Sequence, residues 1–204
     1  MDLMFATRNR HKTRELAQLL GPDYAVRDLT GEYGAPEIDE NGSTFLENAR
    51  IKARTISRYL PQQIVIADDS GLIVDALGGA PGVFSARYAG AQASDAENIA
   101  KLLRELDRCG HTESPARFVC AIVLAINGRI MFATQGEAAG RIIRPPHGTN
   151  GFGYDPVFIP AGFEKTFGEL PNEVKNNISH RAAAARKVRL FLQKSGIKKD
   201  AAGQ

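Results

Sequence analysis

The chain has 204 residues, of which 43% are hydrophobic and 24% are charged, and its formal net charge is +3. These values are ordinary for a soluble globular protein that is long enough for one sizeable core. The positive excess is too small and too dispersed to favour nucleic-acid binding by itself, although it suits an anionic small molecule.

Membrane and secreted classes are disfavoured by the sequence. No stretch approaches the roughly 20 apolar residues of a membrane span, and the apolar N-terminal run is too short for a signal peptide. The two cysteines, Cys109 and Cys120, have no CxxC or metal-finger context. We therefore expect a reduced, cytoplasmic setting with no membrane partner.

In the first part of the chain, predicted strands alternate with predicted helices. Thr44 and Glu47 have the spacing of a capping box, which marks a helix start. An apolar run then predicts a buried strand that ends at two adjacent carboxylates, Asp68 and Asp69. The elements predicted here, in order, are a strand at 3–6, a helix from Asn9 to Leu20, a loop at 31–42, a helix from Thr44 to about Leu60 and a strand at 64–67.

The second part contains the strongest hairpin signal, Asn127-Gly128 between two apolar runs. The elements predicted here are a strand at 72–74, a helix from Ser94 through Leu106, strands at 118–126 and 129–134, a Gly/Pro-rich loop at 145–156, a strand at 157–159 and a last helix that carries 184–192. Helices that alternate with strands, followed by a hairpin, indicate an α/β fold with a mixed sheet, in one continuous domain over 1–192. The polar residues 193–204 are expected to form a flexible tail.

Two polar clusters are candidates for phosphate binding. The junction Thr7-Arg8-Asn9-Arg10-His11-Lys12 lies at a predicted helix N-terminus, where free N–H groups attract anions. The same residues also fit a simple cap by Asn9, with Lys12 in solvent. On the second predicted helix, the polar residues Thr44, Asn48 and Lys52 fall at i, i+4 and i+8, a polar stripe on one face, and such a face usually meets solvent.

The aspartate pair is the candidate for a metal site. Asp68 and Asp69 follow a buried strand, whose rigid backbone could aim hard oxygen ligands at Mg²⁺. The alternative is a turn at Ser70-Gly71 that one of the aspartates caps. Glu40, in the loop before the second helix, carries no signal alone.

Two later segments could receive an aromatic ligand. The loop Gly151-Phe152-Gly153-Tyr154-Asp155-Pro156 combines glycines, an aromatic stacking surface and an acceptor, although Gly and Pro also simply make loops. Lys175 and the run Ser179-His180-Arg181 supply donors that suit a carbonyl oxygen of a base. A His-Arg pair at a helix start is more often a surface feature.

Taken in order, these signals closely resemble the motifs of the inosine/xanthosine triphosphate pyrophosphatase family, over about residues 3–192. The matching motifs are Thr7-x-Asn9-x-x-Lys12, Glu40-x-Gly42-x-Thr44-Phe45-x-Glu47-Asn48-Ala49-x-x-Lys52-Ala53, Ala67-Asp68-Asp69-Ser70-Gly71-Leu72, Leu77-Gly78-Gly79-Ala80-Pro81-Gly82-Val83-Phe84-Ser85-Ala86-Arg87-Tyr88, Gly151-Phe152-Gly153-Tyr154-Asp155-Pro156 and Ser179-His180-Arg181. The resemblance implies an α/β fold with a long mixed β-sheet flanked by helices, two lobes around a central substrate cleft, and a homodimer. It also implies Mg²⁺-dependent hydrolysis of ITP, dITP and XTP to the monophosphate and pyrophosphate, which removes deaminated purines from the nucleotide pool.

The resemblance also assigns roles by position. The residues that it implies for the triphosphate and for substrate contact are Thr7, Arg8, Asn9, Arg10, His11, Lys12, Lys52 and Ser70. Those that it implies for the metal are Glu40, Asp69 and Asp68, with Asp69 also the proton acceptor. Those that it implies for the nucleoside are Phe152, which would stack on the base, Gly153, Tyr154, Asp155, Lys175, His180 and Arg181. Arg8 stands where the family often has a small residue.

We expect water to attack the α-phosphorus and pyrophosphate to leave. A 6-keto oxygen would accept hydrogen bonds from His180 and Arg181, whereas the 6-amino group of adenine would not. We therefore expect ITP and XTP to be hydrolysed far faster than ATP. Two alternatives stay open: a pyrophosphatase of modified pyrimidine nucleotides, and a non-catalytic nucleotide-binding protein. The second leaves the carboxylates unexplained, because carboxylates repel phosphates unless a metal intervenes.

Overall fold

The computed structural model describes residues 1–196, and residues 197–204 of the predicted tail lie outside the described residues. The strands of the described chain are β1 (Asp2–Phe5), β2 (Ala25–Asp28), β3 (Val65–Val74), β4 (Ser114–Ile126), β5 (Arg129–Ile142) and β6 (Phe158–Pro160). Its α-helices are α1 (Arg10–Leu20), α2 (Phe45–Tyr59), α3 (Asp95–Arg108), α4 (Asn172–Ile178) and α5 (His180–Lys194). Short 3₁₀ turns lie at Leu29–Gly31, Asp75–Leu77, Gly82–Arg87 and Asp155–Val157.

The six strands form one mixed sheet in the order β2-β1-β3-β4-β5-β6. Strand β1 is parallel to β2 and β3, whereas β5 is antiparallel to β6. Asn127 and Gly128 join β4 to β5 with φ angles of 47° and 75°, the left-handed backbone that a two-residue hairpin turn requires. The predicted α/β fold with a mixed sheet is confirmed.

Local capping signals fix the helix starts. Thr44 accepts from the backbone N–H of Glu47, whose carboxylate reaches back to the N-cap, and Ser94 and Glu97 repeat this capping box at α3. Asn9 caps α1, and the inward side of that helix buries Leu16 and Leu20 completely. Burial of each such leucine stabilises the fold by about 1.5–3 kcal/mol. The predicted helix starts are confirmed at all three positions.

The prediction for the aspartate pair is wrong in one respect. Asp68 and Asp69 do not follow the end of a strand, because the apolar run and the predicted strand at 72–74 are one continuous strand, β3. A turn at Ser70-Gly71 is therefore excluded. Both aspartates are buried, and each has polar partners, so nothing forces the backbone to leave the sheet at this point.

Several elements were missed or misjudged in length. Strand β2 and helix α4 had no prediction, because both are short and lack a clear period. Helix α5 continues to Lys194, two residues into the predicted tail. Within residues 1–196, no helix is long and apolar enough to cross a bilayer.

The residues group into two compact units. Unit 1 consists of Met1–Asp69, Ala121–Gly136 and the chain from Arg181 onward; unit 2 consists of Ser70–Cys120 and Glu137–His180. In unit 2 one apolar core includes Leu72 of β3, Leu102 of α3, Phe118 of β4 and Phe158 of β6. The single domain over 1–192 and the central cleft stay predictions.

Candidate active site

The start of helix α1 holds its own cap. Asn9 Oδ1 accepts from the backbone N–H groups of His11 and Lys12 at 2.9 and 3.3 Å, and Thr7 Oγ1 accepts from Asn9 N at 3.1 Å. The capping interpretation of Asn9 is confirmed. Its companion interpretation, Lys12 in solvent, is wrong, because Lys12 Nζ donates to Asp68 Oδ1 at 3.0 Å. The remaining residues of this junction, Arg8 and Arg10 with His11, have exposed side chains.

Asp68 lies buried between two cations of unit 1. Its second oxygen, Oδ2, accepts from Arg181 Nη2 at 3.2 Å, opposite the bond from Lys12. Although burial by itself would raise the pKa of Asp68, the charges of Lys12, Arg181 and Lys52 hold that pKa well below the usual value. These charges favour the ionised form of Asp68.

Arg181 is the largest fully buried side chain of the described residues, with 1% of its surface exposed. Its guanidinium donates to Glu15 as well as to Asp68. Glu15 was not predicted as a site residue. In the sequence, Glu15 cannot be distinguished from an ordinary surface glutamate of helix α1. Its partner, Arg181, is 166 residues away in the chain. Only the tertiary fold brings the two together.

Asp69 meets a different set of partners. Its Oδ2 accepts from Asn48 Nδ2 at 3.0 Å, and its Oδ1 lies 3.7 Å from Lys52 Nζ. Lys52 Nζ also donates to Glu40 Oε2 at 2.9 Å. Strand β3 thus supplies Asp69, helix α2 supplies Asn48 and Lys52, and the preceding loop supplies Glu40.

These contacts separate the two neighbouring aspartates. Burial raises the pKa of Asp69, against the opposing effects of Lys52 and of the Asn48 hydrogen bond, and the Glu40 charge adds to the rise. Burial alone would lower the pKa of Lys52, but the charges of Asp68, Asp69 and Glu40 outweigh it and raise that pKa. The pKa of Asp68 is therefore lowered, whereas that of Asp69 is raised, so Asp69 binds a proton more readily than an ordinary aspartate.

Two of the three residues of the polar stripe, Asn48 and Lys52, do not face solvent, so the solvent-facing interpretation is wrong for them, whereas Thr44 is exposed. Asn48 is fully buried and Lys52 is 6% exposed. The Asn48 amide spans the cluster, because its Oδ1 accepts from Gly42 N at 2.8 Å while its Nδ2 binds Asp69. A Cβ on Gly42 would come within 2.7 Å of that Oδ1, so the approach needs glycine. The helical spacing was the signal that could have identified Asn48.

A second polar cluster lies in unit 2. Asp155 Oδ2 accepts from Lys175 Nζ at 2.5 Å and from the backbone N–H of Phe152 at 2.8 Å. Lys175 Nζ also lies 4.9 Å from the centroid of the Phe152 ring. Gly151 has φ +76°, and a Cβ there would fall 1.9 Å from Asp155 Oδ2, so only glycine fits. The structure brings the predicted loop and Lys175 together.

The other predicted residues of unit 2 have mixed placements. The Tyr154 hydroxyl is buried and donates to the Ser85 carbonyl at 2.9 Å, and burial raises its pKa. The His180 ring is buried and stacks on Phe118, with centroids 4.8 Å apart. Ser70, directly after Asp69 on β3, is partly buried. Tyr154 therefore has a structural anchor that the sequence did not indicate.

The carboxylates of Glu40 and Asp69 could hold a metal ion whose other ligands come from the substrate. Glu40 Oε2 and Asp69 Oδ1 both face Lys52 Nζ, so two hard oxygens converge on one positive charge. Mg²⁺ is usually held by one or two carboxylates together with substrate phosphates and waters. Across residues 1–196, no three His, Cys, Asp or Glu side chains form a metal-binding group by themselves. The donor set suits a metal shared with phosphate oxygens rather than an all-protein cage.

Comparison with known proteins gives the family. The model of the Ham1 family matches residues 3–191, which is nearly the whole described chain. The chain belongs to the Ham1 family. The resemblance inferred from the ordered motifs is thereby confirmed.

Individual relatives of this Ham1 protein match over almost their full length. A protein of Bacillus licheniformis named dITP/XTP pyrophosphatase is 47% identical over 195 residues, which cover 95% of this chain and 99% of the relative. A protein of the same name from Geobacillus kaustophilus is 50% identical over 188 residues, covering 92% of each chain. The solved structure of a HAM1 protein from Coxiella burnetii aligns with a TM-score of 0.84 and 40% identity, covering 95% of this chain and 99% of the other.

Proposed function

We propose that this protein hydrolyses dITP, ITP and XTP to the nucleoside monophosphate and pyrophosphate. The name shared by relatives of 47% and 50% identity supports this activity. The observation that carries the proposal is the contrast between Asp68 and Asp69, which are adjacent in sequence but have different partners: Asp68 pairs with Lys12 and Arg181, whereas Asp69 accepts from Asn48 and lies near Lys52. The pKa of Asp68 is lowered and that of Asp69 is raised, which is consistent with different roles for the two carboxylates at one site.

The charge balance of unit 1 supports a metal-bound substrate. Three cationic side chains, Lys12, Lys52 and Arg181, contact four carboxylates, Glu15, Glu40, Asp68 and Asp69. This cluster has one more negative charge than positive, so a bare triphosphate would be repelled. Glu40 and Asp69 would hold Mg²⁺, which when bound neutralises phosphate charge and acidifies a water molecule. Lys12 and Lys52 would bind phosphate oxygens.

Asp69 is the residue we assign to proton acceptance. Its carboxylate is held in place by the hydrogen bond from Asn48 to Oδ2 and would take a proton from the attacking water. A general base works best when its pKa lies near the operating pH, and burial moves the pKa of Asp69 in that direction. Asp68 keeps its charge and orients Lys12 and Arg181.

The cluster of unit 2 is assigned to the purine base. Phe152 offers a ring for stacking, and Lys175 and His180 are proposed as donors for a 6-keto oxygen. Arg181, which was expected to share that role with His180, donates to Glu15 and Asp68 in unit 1. A site built on donors rejects the 6-amino group of adenine, because the buried donors would stay unpaired. A pyrophosphatase of modified pyrimidine nucleotides is the second candidate, with the same phosphate chemistry in unit 1.

One assay tests the proposal. Pyrophosphate and phosphate release are measured separately for ITP, dITP, XTP, GTP, ATP and dUTP, with Mg²⁺ and with excess chelator. We expect Mg²⁺-dependent pyrophosphate release from ITP, dITP and XTP, far faster than from ATP. Equal turnover of ATP and ITP would refute the base assignment, and phosphate release without pyrophosphate would refute the reaction. Preference for dUTP would favour the pyrimidine candidate.

The homodimer and the cytoplasmic location are part of the same proposal and rest on the family resemblance. Light scattering at several protein concentrations tests the first, and cell fractionation tests the second. Nucleic acid and membrane are not among the partners that we propose.

A further inference from the structure

Asp95 makes a contact outside its own helix that no assigned role explains. It is the first residue of α3, and its Oδ2 accepts from the backbone N–H of Gly153 at 2.7 Å. The two residues are 58 positions apart in the chain, and both belong to unit 2. An acidic residue in the first turn of a helix already stabilises the helix. That effect does not require a short hydrogen bond to a distant loop.

The bond completes a clamp on Phe152. The N–H of Phe152 itself donates to Asp155, and the next N–H along the chain, that of Gly153, donates to Asp95. These two groups flank the Cα of Phe152, so together they orient its backbone and the Cα–Cβ bond from which its ring extends. Asp155 is held in turn by Lys175, whose ammonium lies over the same ring.

The two carboxylates of this clamp, Asp155 and Asp95, differ in burial. Asp155 is buried, so its hydrogen bonds cannot be exchanged for water without cost. Asp95 is exposed and is placed only by the start of α3, where the Ser94–Glu97 capping box fixes the backbone. Gly153 has φ +63°, a region in which other residues are strained. Asp95 is therefore the adjustable half of the clamp.

We propose that Asp95 is a positioning residue that holds Phe152 in the orientation needed for stacking on the purine base. The inference rests on the proposed function, because it assumes that Phe152 receives a base. Asp95 touches neither phosphate nor metal in this account. Its loss should weaken the affinity for the nucleoside and leave the chemistry at the triphosphate unchanged.

The test compares Asp95→Ala, which removes the acceptor, with Asp95→Asn, which keeps an acceptor oxygen and removes the charge. The difference between the two isolates the hydrogen bond from any effect on the helix. kcat and KM are measured for ITP with Mg²⁺, and inorganic triphosphate, which has no base, is used as a competitive inhibitor. A hydrogen bond to a charged group is worth about a tenfold change in affinity.

For Asp95→Ala we expect KM for ITP to rise about tenfold, with kcat and the inhibition constant of inorganic triphosphate within twofold of the wild-type values. Asp95→Asn should recover most of the loss in KM. An unchanged KM in Asp95→Ala, or equal losses for ITP and inorganic triphosphate, would overturn the positioning role while the wild-type activity stands. A wild-type protein that releases no pyrophosphate from ITP would overturn the proposed function, and this inference with it.

Discussion

Replacing Asp69 by asparagine is the sharpest perturbation of the proposed site. The change keeps the shape of the side chain and removes the oxygen that can accept a proton. Because burial already raises the pKa of Asp69, its negative charge is unfavourable in the fold, and the neutral amide should not lower stability. Asp68→Asn is the matched control, one residue away on the same strand. It removes an ionised carboxylate that pairs with Lys12 and Arg181.

The expected magnitudes separate the two variants. Loss of a general base typically lowers the rate by roughly 10² to 10⁴, or about 2.7–5.4 kcal/mol of transition-state stabilisation. For Asp69→Asn we expect a fall in kcat of at least that size with an unchanged unfolding midpoint. Removing one partner of a buried ion pair costs about 3–5 kcal/mol. Asp68→Asn should therefore have a lower free energy of unfolding than Asp69→Asn.

The measurements are initial rates of pyrophosphate release from ITP at saturating Mg²⁺ and urea unfolding at pH 7. A fall in kcat well beyond roughly 10⁴ would indicate that the metal role of Asp69 outweighs its role as a base. Nearly full activity of Asp69→Asn would refute the assignment. Equal destabilisation of the two variants would refute the argument that their environments differ.

Three other perturbations follow from the same contacts. Because Asp69 must be deprotonated to act, kcat/KM should fall as the pH drops through the pKa of Asp69, which lies above the usual value of about 3.9. A pH–rate profile that is flat down to pH 4 would contradict this. Gly151→Ala should cost about 1–2 kcal/mol in thermal unfolding and raise KM for ITP, since the backbone is left-handed and the new Cβ meets Asp155; an unaltered KM would argue against this. Arg181→Gln should lower the unfolding free energy by about 3–5 kcal/mol in urea titration, and a loss below about 1 kcal/mol would show that Asp68 does not depend on it.

Local signals account for the elements that the sequence predicted correctly. A capping box needs only residues three apart, and Asn-Gly needs only its own backbone freedom, so the starts of α2 and α3 and the β4–β5 hairpin could be located in advance. The predicted strand ended at residue 67, before the true end of β3 at Val74, because two adjacent aspartates are typical of a strand end. Its true length depends on buried partners that lie far away in sequence.

The sequence by itself determined the family and indicated the polar residues of the cluster in unit 1 other than Glu15, because the order and spacing of the motifs are linear properties of the chain. Only the tertiary structure decided which partners each of these residues contacts and how its pKa is shifted. Asp68 and Asp69 are equivalent in sequence, but the alternation of a strand points them to different neighbours, one to Lys12 and Arg181 and the other to Asn48 and Lys52. A pKa is set by burial and by charges in space, and neither can be obtained from sequence separation.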